Sequence, residues 1–117
     1  MTVDEFNSQY TNGDVIVVQS YYSRTYWIVL VCGLGEEERY FPGMHPILYH
    51  AVLDLSGDIL FGSVEEARTG IGWVEESPSI RRATNEEADL LFKGLEREGY
   101  EWDKENLRVL LTDNLPF

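Results

Sequence analysis

Cysteine, histidine, proline and positive charge are all scarce in this chain, and each scarcity closes off a class of protein. A single cysteine, Cys32, leaves no intrachain disulfide to form. It ends the apolar run Trp27-Ile28-Val29-Leu30-Val31-Cys32, where a buried, inert strand thiol is expected and a reducing cytoplasm is the matching compartment. The two histidines, His45 and His50, lie five positions apart with Pro46 between them, a spacing that suits neither one helix face nor one strand face. Zinc would need Cys32 or distant carboxylates as well, so no metal is expected. Four prolines among 117 residues, with 44% hydrophobic and 13% aromatic content, argue against a disordered acidic tail. No apolar stretch approaches the ~20 residues of a spanning helix. The N-terminus, Met1-Thr2-Val3-Asp4-Glu5, carries acid where an export signal needs base. Scarcest is positive charge: 9 Lys and Arg stand against 21 Asp and Glu, a net charge of −12. Such a surface repels nucleic acid and anionic membrane, so direct binding to either is not expected.

What is present reads as one domain over residues 1–117, since two would each be too small to bury a core. Thr2 and Glu5 have capping-box spacing, and Val3, Phe6 and Tyr10 recur near helical spacing, which predicts a short helix over 2–10. Residues 14–75 form a β region. Val15–Val18 and Tyr26–Cys32 read as a hairpin. The stretch 33–46 reads as two loops flanking a short edge strand. Ile47–Leu55 and Ile59–Val64 pair around Ser56-Gly57-Asp58, and Ile71–Val74 adds a further strand. From Thr84 the period changes: Ala88, Leu91, Phe92 and Leu95 share one face, predicting a helix over 84–98 that is capped by Thr84 and Glu87 and ended by Gly99. Gly94 within it suggests a close approach of helix to sheet. A last strand over 106–111 follows, forming a hairpin with the alternating Tyr100 and Trp102. The fold class is therefore α+β: a small antiparallel sheet or SH3/OB-like barrel of five to six short strands, one capped C-terminal helix and a final strand.

No catalytic constellation can be assembled, and neither enzyme activity nor a cofactor is expected. Gly33-Leu34-Gly35 lacks the third glycine of a dinucleotide fingerprint and runs into three glutamates. Asp54 and Asp58 are what a Ser56-Gly57 turn calls for without any acid–base role. Cys32 with His50 has no thiol-hydrolase signature around it.

In the C-terminal third, Arg81-Arg82-Ala83-Thr84-Asn85-Glu86-Glu87, Leu91-Phe92, Leu95, Gly99-Tyr100 and Trp102-Asp103 form a recognisable pattern. It resembles an "RPAT-EE-LF-L-GY-W" segment of small phage and prophage-type proteins of Bacteroidales-like gut bacteria, with Arg82 in place of the usual proline and Ala88 in place of the usual lysine. The match covers residues 80–103. The resemblance implies a mobile-element origin and brings no catalytic residues. Small acidic phage proteins often antagonise host nucleic-acid machinery, anti-CRISPR proteins among them.

Two features bear on partners. Tyr21 and Tyr22 fall in a predicted turn, where exposed aromatics favour protein contacts, whereas Tyr26 and Trp27 open the following strand. Stacking of single-stranded bases on this cluster would need a cationic groove, and only Arg24 and Arg39 precede Arg68. The acidic runs Glu36-Glu37-Glu38, Glu65-Glu66, Glu75-Glu76 and Glu86-Glu87 carry more charge than solubility requires. Gathered on one face, they would imitate a nucleic-acid backbone. The expected partner is therefore a basic nucleic-acid-binding protein, met through Tyr21, Tyr22, Glu36, Glu37, Glu38, Glu65, Glu66, Glu75 and Glu76. The alternative is an accessory or structural phage protein-interaction module with no nucleic-acid-related target.

Overall fold

Thr2 opens the first helix by the cap its spacing predicts. Its hydroxyl accepts from the Glu5 N–H while the Glu5 carboxylate accepts from the Thr2 N–H, starting α1 (Val3–Gln9). The structure, a computed structural model, describes residues 1–19, 26–54, 56–62, 70–77 and 79–112. Among these, α1 is followed by β1 (Val15–Gln19), β2 (Tyr26–Leu34), β3 (Pro46–Leu53), β4 (Ile59–Phe61), β5 (Gly70–Trp73) and β6 (Ser79–Arg82). Then come α2 (Asn85–Arg97), β7 (Tyr100–Asp103) and β8 (Arg108–Leu111). Every strand pair is antiparallel, which makes the fold α+β.

The expected hairpins are present: Val18 lies opposite Trp27, Leu53 opposite Ile59, and Trp102 opposite Val109. The barrel is not. The main sheet runs β4-β3-β2-β1-β6, with β5 sharing the β4 edge of β3, and β7-β8 form a sheet of their own. The strands at its two edges, β4, β5 and β6, have three, four and four residues, too short for the staggered closure a barrel needs. Among the described residues there are eight strands, where five or six and a final one were expected. The addition that sequence reading missed is β6, whose Arg81 and Arg82 look like a polar flank of the helix yet pair with Val17 and Ile16. The short edge strand expected within 33–46 is absent: β2 continues to Leu34, and a loop leads to β3.

Strand alternation sends Ile16, Val18, Val29 and Val31 to one core with Phe6 and Tyr10, while Val15, Ile28 and Leu30 go to another with Leu91 and Leu95. The sheet thus lies between α1 on one side and α2 with the β7-β8 hairpin on the other. Two register shifts leave His50 of β3 and Cys32 of β2 without a ladder partner. An extra residue reverses parity. Accordingly Ile47 and Tyr49 join the α1-side core, whereas Ala51 and Leu53 join the α2-side core. The same irregularity corrects the expectation for Cys32, which is half-buried rather than buried. Burial nonetheless pushes its thiol pKa up.

Helix α2 has the reciprocal Thr84–Glu87 cap, and Gly99 follows it in the left-handed region at φ 85°. A Cβ on Gly94 would sit 2.8 Å from Ile59 Cδ1, the close helix-to-sheet approach expected there. Arg82 donates to the Gln9 carbonyl at 2.8 Å and lies over the Tyr10 ring, fastening the end of α1 to β6. Arg81 grips Glu87 with two hydrogen bonds, at 2.6 and 2.8 Å. These residues of the Arg81–Trp102 pattern thus all do structural work.

The Arg81 grip, reinforced by the Thr84 N–H, holds the Glu87 carboxyl far below its usual 4.5, at about 2. A carboxylate depressed by folding stabilises the fold above its unfolded pKa and loses that contribution as pH falls through the folded value. Acid destabilisation from this group is therefore expected between pH 4.5 and about 2. Arg81→Met should return the Glu87 titration, followed by carboxyl NMR, toward the ordinary glutamate range. An unchanged titration would remove Arg81 as its cause.

Candidate functional site

At one end of the sheet the chain leaves β2, crosses a loop and returns as β3, with the end of β5 alongside. Hydrogen bonds fasten this loop at several points. Gly35 N–H donates to the Pro46 carbonyl and Glu38 N–H to that of Met44, both at 2.8 Å, which closes residues 39–43 into a tip. Within the tip Met44 N–H reaches the Phe41 carbonyl at 3.1 Å, with Pro42 and Gly43 (φ 86°) at the central positions of a type II turn. A side chain at position 43 would have to adopt that positive φ, so glycine fits here for a backbone reason.

Two glutamates hold the same segment. The Glu37 carboxylate accepts from the Gly43 N–H. Glu75 accepts from the His45 N–H at 2.8 Å and meets His45 Nδ1 at 2.6 Å. Burial is the largest single influence on Glu75 and pushes its pKa up, but the contacts with His45 and the hydrogen bond from its own N–H together outweigh it and hold the carboxyl below its ordinary value. The runs 36–38 and 75–76, far apart in sequence, are thereby brought against one three-residue segment, Gly43–His45. Glu37 and Glu75 are committed to holding it. Glu36 and Glu76 are exposed and Glu38 is half-buried, and among the described residues their carboxylates have no hydrogen-bond or ion-pair partner.

The tip also carries what sequence reading overlooked. Tyr40 is 80% exposed and Phe41 53%, although the Phe41 ring packs against Trp73 with centroids 4.9 Å apart. The signal was available, because an aromatic pair immediately before Pro42-Gly43 falls in a turn, the same argument that singled out Tyr21 and Tyr22. Those two tyrosines, with Glu65 and Glu66, lie outside the described residues.

The groups weighed for chemistry are dispersed into structural tasks. His50 is 6% exposed, bonds Asn12 Oδ1 at 2.7 Å and packs against the Trp102 ring at a tilt of 52°, and burial lowers its pKa. Asp54 shapes its turn by accepting from Ser56 Oγ, Ser56 N–H and Asp58 N–H, with the Ser56 hydroxyl the main influence lowering its pKa. Among the described residues, no three His, Cys, Asp or Glu side chains gather where they could hold a metal ion. No helix there is long and apolar enough to cross a membrane. Comparison with protein-family models, curated proteins and solved structures gives no match to the chain.

Proposed function

We propose that the chain is a non-enzymatic binding module that docks its acidic loop end on a basic, nucleic-acid-processing protein and blocks it, with anti-CRISPR inhibition as the most concrete form. The observation that carries this reading is the meeting of the 36–38 and 75–76 runs on Gly43–His45, which sets exposed Glu36 and Glu76 around one clamped loop. Carboxylates spaced over a rigid surface attract a basic cleft and compete with the phosphates it normally holds. The phage-type resemblance of residues 80–103 supports a host defence protein as target.

The test uses purified nucleic-acid-processing effectors, CRISPR nucleases first. Binding should weaken with salt and with added nucleic acid. Replacing Glu36, Glu38 and Glu76 together by lysine should slow association at low salt by about tenfold or more, since steering of this kind is an ionic-strength-dependent rate effect. Binding indifferent to salt, charge reversal and competing nucleic acid would favour the accessory-module alternative instead.

A further inference from the structure

Tyr40 is the most exposed of the large hydrophobic residues described, and it stands on a loop that hydrogen bonds hold in place. A lone exposed aromatic on a mobile loop needs no explanation. An aromatic pair on a clamped tip differs, because contacts made there lose little conformational entropy on binding. Phe41 is propped by Trp73 at 4.9 Å, so part of its ring is fixed and the rest faces outward. The chain also shows what this surface accepts: the Arg39 guanidinium lies over the Tyr40 ring, 5.8 Å from its centroid. A guanidinium prefers such a place, being planar, weakly hydrated and able to stack on a π-face while its N–H groups reach carboxylates. Glu36 and Glu38 lie on the same loop.

We infer that the Tyr40–Phe41 tip is the anchor of the interface and that it takes an arginine-bearing segment of the partner, stacked on the rings and paired with Glu36 or Glu38. This rests on the binding role proposed above and adds the chemistry of the partner's contact: arginine rather than lysine, because an ammonium neither stacks nor offers a planar fork. Arg39 competes with the incoming guanidinium for the Tyr40 face.

The experiment titrates the intact chain with an arginine-rich peptide and with its lysine counterpart of equal length and charge, read by NMR of the Tyr40 and Phe41 ring protons. The arginine peptide should bind several-fold tighter and shift both rings. Tyr40→Ala should weaken it about tenfold or more, and Arg39→Gln should tighten it. Phe41→Ala also disturbs Trp73, so the more exposed Tyr40 site is the decisive one. Equal affinity for both peptides together with an unaffected Tyr40→Ala variant overturns the inference. If charge reversal at Glu36, Glu38 and Glu76 still weakens effector binding in that case, the acidic docking role stands without the aromatic anchor. If charge reversal is also without effect, both fall.

Discussion

Leu91→Ala is expected to lower the unfolding free energy by about 2–5 kcal/mol, the range for truncating a fully buried leucine whose surroundings collapse only in part. Leu91 has no exposed surface, and with Leu95 it forms the helical side of a core completed by Leu30, Ala51 and Leu53. That core joins three parts of the chain, since Tyr100, Trp102 and Val109 of the hairpin pack against it too. The loss is therefore expected to loosen α2 and the hairpin together rather than one helix alone. Small domains hold only about 5–15 kcal/mol in total, so the urea midpoint should move by a large fraction of its value. Leu90, one position away, is 56% exposed, and Leu90→Ala should stay within about 0.5 kcal/mol. Equal shifts for the two variants would show that the helix does not dock through the face assigned to it.

The helices were legible because their signals are local. Thr2 with Glu5, and Thr84 with Glu87, each place donor and acceptor three residues apart, and no tertiary contact is required to form the cap. The hairpins were legible for a similar reason, as Ser56-Gly57-Asp58 turns the chain between two apolar runs. What lay hidden depends on contacts distant in sequence. Strand β6 contains two arginines among its four residues and is a strand only because β1 offers it a ladder. The half-burial of Cys32 follows from a register shift against β3, which alternation along β2 alone does not reveal. At the candidate site the acidic runs were visible as runs, but their meeting depends on His45, which bonds Glu75 thirty positions away. A polar loop holding Tyr40 and Phe41 gave no periodicity to read, and their importance emerges only from how firmly the loop around them is tied.

The same register shift sets up a second large effect, at Gly62. This residue follows β4 directly, and its N–H donates to the His50 carbonyl at 3.0 Å, extending the β3–β4 pairing past the last ladder pair, Ala51 with Phe61. With His50 left out of the β2 ladder, the backbone before it is turned so that the Tyr49 carbonyl oxygen occupies the space beside Gly62. A Cβ there would lie 1.8 Å from that oxygen and 3.1 Å from Tyr49 Cδ2. The first of these contacts is with backbone, which no side-chain rotation relieves. Gly62→Ala must then pull the end of β4 away from β3, losing the Gly62–His50 hydrogen bond, or else strain the bulge that lets both cores fill. Overpacking costs about 1–3 kcal/mol, and the hydrogen bond adds about 1 kcal/mol. Amide exchange distinguishes the two routes. Peeling of β4 should speed exchange at position 62 while β1 and β2 stay protected, whereas strain in the bulge should lower protection across β3. A variant with unchanged midpoint and unchanged exchange at position 62 would mean that the Tyr49 carbonyl does not stand where its hydrogen-bonded neighbours put it.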